Sequence, residues 1–190
     1  TGIGQGYIQT TPLQLCLMTA QIANGGYKIK PKIIVNDDPL SLENAKTAME
    51  LQSLQTPNTK LFNDPKHIKI VQEAMFSSTN EQFGTSYRSR IDDPKYQFAG
   101  KTGTAQVKRI SKRERELDLK LEQIPYKDRD HALYVAYGPY KNPRYALSII
   151  VEHGGSGSKA AAPMAKELFK LIIDRDELRD KQSNFENINI

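Results

Sequence analysis

The sequence is poor in the residues that form disulfides and hold metals, with one cysteine and three histidines among 190 residues. Cys16 has no second cysteine to pair with, and its apolar neighbours in the sequence predict a small buried side chain rather than a nucleophile. The histidines, His67, His131 and His153, are dispersed and lack acidic or thiol companions at metal-ligand spacing. We therefore assign no metal site and no cofactor.

Long apolar runs are also missing. No run approaches the ~18 apolar residues that a membrane span requires, and no signal peptide precedes Thr1. The formal net charge of +5 comes from 27 basic and 22 acidic residues. These charges are spread along the chain, as on a solvated surface, so nucleic acid is not an expected partner.

The most informative segment is FAGKTGTAQ, which covers residues 98–106. Five consecutive residues of this segment contain a cation, two hydroxyls and two glycines, on a stretch that otherwise has the pattern of a strand. A phosphate-binding loop would need a glycine five residues before the Gly-Lys pair and a helix directly after it. Lys95 stands at that position and no helical period follows, so we interpret the segment as the wall of a site that grips a small anion.

Three segments place this box in a longer pattern: TGIGQGYIQTTPLQ at 1–14, AGKTGTAQ at 99–106 and DHALYVAYGPYKNPRYALSIIV at 130–151, which EHGGSGS follows. Together they resemble the C-terminal part of the transpeptidase domain of class B penicillin-binding proteins. The resemblance is greatest to the cell-elongation type, often called penicillin-binding protein 2. It covers about residues 1–173 in collinear order.

The resemblance implies roles for the residues of the Lys-Thr-Gly box. Lys101, Thr102 and Thr104 would hold the terminal carboxylate of a peptide or a β-lactam. Gly103 would leave room for the ligand backbone to lie along the strand, and the backbone N–H of Thr104 would donate to the developing oxyanion. The catalytic candidates are thus Lys101 and Thr104, and the substrate-binding candidates are Lys101, Thr102, Gly103 and Thr104.

The resemblance also implies an activity and partners. In a peptidoglycan D,D-transpeptidase, a serine attacks the D-Ala-D-Ala carbonyl, expels D-alanine and passes the acyl group to a neighbouring stem-peptide amine. β-Lactam antibiotics acylate the same serine. The implied partners are peptidoglycan stem peptides, β-lactams and the cell-elongation machinery. The implied location is the bacterial inner membrane, with a single N-terminal anchor outside this chain and the domain in the periplasm.

The order of the boxes departs from the family pattern. The family carries its Ser-x-x-Lys nucleophile box and its Ser-x-Asn box before the GIGQG segment, with which this chain begins. Ser78-Thr79-Asn80 spells Ser-x-Asn, but it falls after that segment and ends a predicted helix, so we interpret it as a coincidence. We interpret the chain as having no serine followed three residues later by lysine, and we expect it to represent part of a domain, without the nucleophile box. A serine β-lactamase or β-lactam sensor relative and a non-catalytic binding module remain alternatives.

The expected fold is α/β of the α+β type, an antiparallel sheet flanked by helices, like that of penicillin-binding transpeptidases and serine β-lactamases. We assign residues 1–181 to the C-terminal portion of such a domain and residues 182–190 to a flexible tail. Hydrophobic periodicity and capping residues predict helices over 12–24 and 65–80, strands over 97–107, 132–138 and 145–153, and a strand or extended arm over 27–35.

Three further segments complete the prediction. Residues 36–57 are a polar connection, and residues 108–130 are a solvated hairpin connection, with a nucleic-acid patch as the alternative. Gly154 to Ser158 is a strand-to-helix turn, with an anion site as the alternative. Beyond it, five apolar residues follow a helical stripe that packs onto the sheet: Ala165, Leu168, Phe169, Ile172 and Ile173.

Overall fold

The computed structural model describes residues 8–31, 59–108 and 119–188, with the side chains of 179–188 left out. Several parts of the prediction therefore lie outside the described residues. These are the GIGQG segment, residues 32–35 of the predicted arm, the polar connection over 36–57, residues 109–118 of the predicted hairpin connection, and the last two residues of the predicted tail.

Two helices begin where the sequence places capping residues. Helix α1 spans Pro12–Ala23, and the side chains and backbones of Thr11 and Gln14 form a reciprocal capping box at its start. Helix α2 spans Pro65–Asn80, and the Asp64 carboxylate accepts a hydrogen bond from the second helical N–H. Both predicted helices are confirmed to within one residue.

The three strands of the sheet are β1 at Ala99–Ala105, β2 at His131–Gly138 and β3 at Tyr145–Val151. They lie in the order β1-β2-β3, and both pairs are antiparallel, as expected. Lys101 lies opposite Val135 and Thr104 lies opposite Ala132. Among the described strands β1 pairs with β2 alone, so its other side is an edge of this sheet, and β1 carries the Lys-Thr-Gly box.

The two faces of the sheet pack against different helices. On one face, Phe98 stacks on Phe169 of the last helix with ring centroids 4.8 Å apart, and Tyr134 meets Phe98 edge-on. On the other face, Ala99 and Tyr137 pack with Met75 of α2. The core is therefore layered, with helices on both sides of an antiparallel sheet.

The last helix, α3, spans Ala162–Ile188 and follows a short π-helical turn at Gly157–Ala161. Its buried stripe is narrower than predicted, because Leu168 is 40% exposed whereas Phe169 is fully buried. Adjacent residues lie roughly 100° apart around a helix, so the sheet covers one of them and leaves the other in solvent. The helix also extends through residues 182–188, so their flexibility as a tail stays a prediction.

Two predicted segments adopt other structures. The predicted arm makes one isolated antiparallel bridge, from Tyr27 to Lys60, and no regular strand forms over the described residues 27–31. The segment before β2 contains two turns of 3-10 helix, Leu121–Gln123 and Tyr126–Asp128, instead of a plain hairpin connection. In the described ranges, no helix is long and apolar enough to cross a membrane.

Candidate active-site wall

The exposed edge of β1 is identified by two hydrogen bonds from the end of α2. The Gly100 N–H donates to Thr79 Oγ1 at 3.0 Å, and the Phe98 carbonyl accepts from Asn80 Nδ2 at 2.9 Å. Alternate residues of a strand direct their backbone groups to the same side. The N–H and C=O groups of Thr102 and Thr104 therefore also point away from β2.

The two halves of this edge differ in how they are covered. Side chains at the end of α2 close it at residues 98 and 100, whereas no described residue hydrogen-bonds the Thr104 N–H. An open strand edge is a template for an extended peptide, which can add as a further strand. Apart from the Thr102 carbonyl, which accepts from Lys101 Nζ, the outward backbone groups of Thr102 and Thr104 have no hydrogen-bond partner among the described residues.

Lys101 brings a positive charge to the point where the edge opens. Its side chain is exposed and lies on the α1 and α2 face of the sheet, opposite Val135. The ammonium Nζ donates to the Thr102 carbonyl at 3.0 Å and lies 3.4 Å from Thr102 Oγ1. An ammonium and a hydroxyl are thus close together beside the strand edge, an arrangement that suits a carboxylate.

A chain of hydroxyls extends from Thr102 into the loop after α2. Thr85 Oγ1 lies 3.3 Å from Thr102 Oγ1 and 3.2 Å from Ser78 Oγ. These contacts fix the orientation of the Thr102 hydroxyl on the exposed side of the strand. Thr85 is not among the predicted site residues, because a lone hydroxyl in a turn carries no sequence signal of its tertiary partner.

A second hydroxyl cluster is buried beneath the strand. Thr79 Oγ1 lies 2.9 Å from the Tyr134 hydroxyl, and Ser86 Oγ lies 3.0 Å from that same hydroxyl. Burial raises the pKa of Tyr134, so the phenol stays protonated and able to donate. A Cβ at Gly100 would overlap the Tyr134 hydroxyl, so glycine is required there for the strand to pass over the cluster.

The Ser-x-Asn sequence at 78–80 has a structural role in this arrangement. Thr79 and Asn80 bind the backbone of β1, and the Asn80 amide also donates to Phe76 of its own helix at 3.0 Å. The interpretation that this triplet does not act as the family box agrees with these contacts.

One Ser-x-x-Lys spacing does occur in the chain, at Ser156 to Lys159, after the Lys-Thr-Gly box. The expectation that the spacing is absent is therefore wrong. Ser156 Oγ lies 3.1 Å from Ser158 Oγ, and the exposed Lys159 makes no described side-chain hydrogen bond to Ser156. A nucleophile and its base need that contact, so the pair does not have the geometry of a catalytic dyad.

The glycine-rich turn that contains this pair packs directly against β1. A Cβ at Gly157 would overlap the Leu133 carbonyl and lie 2.9 Å from the Gly103 carbonyl. Glycine at 157 is thus needed for close approach to the sheet, which supports the turn interpretation of Gly154 to Ser158.

The other reactive side chains lie apart from this edge or are held in structural contacts. Cys16 is half-buried with Sγ 3.4 Å from the Ala146 carbonyl, and burial raises the pKa of its thiol. In the part of the chain that the structure describes, no group of three or more His, Cys, Asp or Glu residues could hold a metal ion.

Comparison with known proteins identifies the family. The family profile described as "Penicillin binding protein transpeptidase domain" matches residues 1–170. The chain is 34% identical over 173 residues to "Peptidoglycan D,D-transpeptidase MrdA" of Salmonella typhimurium, covering 91% of this chain and 26% of that protein. It is 37% identical over 175 residues to the protein of the same name from Acinetobacter baumannii, covering 88% of this chain and 23% of that protein.

Solved structures have the same fold. PBP2 of Pseudomonas aeruginosa in complex with WCK 5153 matches with a TM-score of 0.62 at 32% identity, over 90% of this chain and 32% of that one. PBP2 of Helicobacter pylori in complex with MreC matches with a TM-score of 0.63 at 30% identity, over 89% of this chain and 26% of that one. The chain spans about a quarter of the length of the curated relatives above, 26% and 23%. The resemblance and the expected fold are confirmed: the chain belongs to the penicillin-binding protein transpeptidase domain family.

Proposed function

We propose that the longer protein containing this chain is a peptidoglycan D,D-transpeptidase, and that this chain supplies the wall along which the stem peptide lies. The observation that carries the proposal is the β1 edge, which Thr79 closes at Gly100 and which no helix or strand of the described residues covers at Thr102 and Thr104, beside the Lys101 ammonium. The relatives named peptidoglycan D,D-transpeptidase favour this activity over that of a β-lactamase or a non-catalytic module.

The proposed reaction is serine acyl transfer. A serine outside the described residues attacks the penultimate D-alanine carbonyl, the C–N bond to the terminal D-alanine breaks, and D-alanine leaves with a proton. A stem-peptide amine then attacks the acyl-serine ester, so the new amide bond releases the serine. A β-lactam acylates the same serine, because its ring amide occupies the position of the scissile bond.

Each residue of the box has a role in this scheme. Lys101 and the hydroxyls of Thr102 and Thr104 hold the terminal carboxylate. Gly103 has no side chain and so leaves room for the ligand backbone to lie along the strand. The Thr104 N–H, which points away from β2, donates to the carbonyl oxygen as it gains charge. A preformed donor at that position costs no reorganisation when the tetrahedral intermediate forms.

The partners and location belong to the same proposal. A structure of Helicobacter pylori PBP2 with MreC supports a place for this protein in the cell-elongation machinery. We place the domain in the periplasm, held at the inner membrane by an N-terminal anchor. Fractionation of cells producing the tagged full-length protein tests this location, and recovery of the protein in the soluble cytoplasm contradicts it.

Acylation by a fluorescent penicillin tests the activity in the full-length protein. We expect one covalent label per polypeptide, blocked by prior incubation with an unlabelled β-lactam, and D-alanine release from a pentapeptide substrate. Heat-denatured protein is the control for adventitious labelling. Labelling without D-alanine release would favour a sensor, whereas rapid hydrolysis of the penicillin would favour a β-lactamase.

A further inference from the structure

A buried hydroxyl takes the place of a neighbouring strand at Gly100. Thr79 is 0% exposed, and its Oγ1 accepts the Gly100 N–H at 3.0 Å. The same oxygen lies 3.4 Å from the Gly100 carbonyl, which it can reach as a donor. Thr79 thus occupies the Gly100 N–H that a further strand would otherwise use, while its single proton can go to the Gly100 carbonyl or to the Met75 carbonyl, which is also 3.4 Å away.

The cluster around Thr79 holds this contact in one geometry. The Tyr134 hydroxyl lies 2.9 Å from Thr79 Oγ1, and Ser86 Oγ lies 3.3 Å from it. Tyr134 is itself on β2, opposite Thr102 of the box. The cluster therefore links the end of α2 by hydrogen bonds to both β1 and β2.

The location of this closure matters for an incoming peptide. Gly100 directly precedes Lys101, and beyond it the only described contact to the outward backbone groups of Thr102 and Thr104 is from the Lys101 ammonium to the Thr102 carbonyl. A ligand strand can pair with Thr102 and Thr104 but is blocked at Gly100. Its terminal carboxylate must therefore lie where the strand pairing stops, beside the Lys101 ammonium.

We propose that Thr79 is a positioning residue that fixes the point at which the β1 edge opens, and so aligns a ligand carboxylate with Lys101 and Thr102. This inference rests on the proposed function, since it concerns the same edge. Thr79 acts through the backbone of Gly100 and does not touch the ligand. Loss of its hydroxyl would free the Gly100 edge and let the Lys101–Thr102 backbone shift.

The test compares three variants of the full-length protein. Thr79→Val removes the hydroxyl at nearly constant volume, and we expect the second-order rate of acylation by a penicillin to fall on the order of 10-fold, since small misplacements have large effects on rate. Thr79→Ser keeps the hydroxyl and should recover most of the rate. Thr19→Val is the matched control, because Thr19 is also 0% exposed but its hydroxyl bonds to Leu15 of its own helix.

A carboxylate-free ligand separates positioning from general loss of structure. We expect the parental protein to be acylated faster by a penicillin than by its methyl ester. The ratio of the two rates should be smaller in Thr79→Val, because the proposed role of Thr79 is to align the carboxylate that the ester lacks. A partly unfolded variant would lose both rates equally. If Thr79→Val does not accumulate as folded protein, Tyr134→Phe carries the same test, since it removes the other half of the 2.9 Å contact.

The outcomes distinguish this inference from the proposed function. If the parental protein is not acylated at all, the proposed function fails and this inference fails with it. If the parental protein is acylated and the folded variant keeps both the parental rate and the parental preference for the carboxylate, the positioning role alone is overturned.

Discussion

At the scale of single residues, we expect the site to depend on the charge of Lys101 more than on its packing. The side chain is exposed, and among the residues that the structure describes its Nζ hydrogen-bonds only the neighbouring Thr102. Replacing Lys101 should therefore weaken the interaction with a ligand carboxylate without changing the fold. The proposed contact between Lys101 and a ligand carboxylate would gain strength as the bound ligand displaces water from the edge.

Lys101→Ala in the full-length protein should lower the second-order rate of acylation by a penicillin on the order of 10²-fold, or about 2 to 3 kcal/mol. Lys101→Arg should recover part of the rate, because the charge is kept while the donor geometry changes. Lys69→Ala is the matched control, since Lys69 is an exposed lysine on α2. An alanine variant that is acylated at the parental rate, with unchanged melting, would remove Lys101 from the site.

Cys16 illustrates how burial suppresses the reactivity of a residue. The thiolate is the reactive form, and burial raises the pKa of this thiol, so less thiolate is present at a given pH. We expect iodoacetamide at pH 8 to label the folded chain at least ~10-fold more slowly than the chain unfolded in guanidinium chloride. Equal labelling rates in the two states would contradict the half-buried position.

At the scale of elements, the glycine-rich turn packs closely against the backbone of the strands that carry the candidate site. Gly157→Ala should destabilise the chain by about 1 to 3 kcal/mol, because the added methyl meets the backbone of Leu133 and Gly103, which cannot swing aside. Urea unfolding measures the change. Gly103→Ala is the comparison, since its Cβ would lie 3.3 Å from a side-chain atom of Leu133 and should be tolerated better. A Gly157→Ala midpoint equal to that of the parent would mean that the turn is looser than described.

The elements that the sequence predicts well are those with local signals. Thr11 with Pro12 and Asp64 with Pro65 mark helix starts, and both helices begin there. The strands follow from apolar alternation and the turn residues between them. Leu168 fits the same helical period as Phe169, yet its exposure depends on how far the sheet extends, which periodicity does not encode.

The parts of the site that the sequence does not predict are long-range polar contacts. Thr79 is 55 residues from Tyr134, and Ser86 is 48 residues from it. Hydroxyl side chains have no characteristic period, so nothing local indicates that three of them will meet under Gly100. The Lys-Thr-Gly box is recognisable in the sequence because its functional groups belong to consecutive residues, which lie together on β1. Their roles in catalysis stay predictions.

At the scale of the whole molecule, the described surface of α3 carries a second apolar stripe. Four large apolar side chains are 40–66% exposed along it: Met164, Leu168, Leu171 and Leu178. Contiguous apolar patches beyond a few hundred Å² are uncommon on monomers, so we expect the isolated chain to self-associate. Sedimentation should show concentration-dependent mass, which Leu171→Glu should reduce and Lys69→Ala should not. A monomer that persists at high concentration and binds no apolar dye would contradict this.

The last prediction concerns which part of the whole protein carries the nucleophile. We expect the isolated chain of 190 residues to form no stoichiometric adduct with a penicillin, because Ser156 and Lys159 make no described side-chain contact and the family box precedes the GIGQG segment. Intact-mass measurement after incubation detects an added acyl group, with the full-length protein as the positive control. Ser156→Ala in the full-length protein should leave labelling intact. A stoichiometric adduct on the isolated chain that disappears in its Ser156→Ala variant would move the nucleophile into this chain and overturn the proposed division of the site.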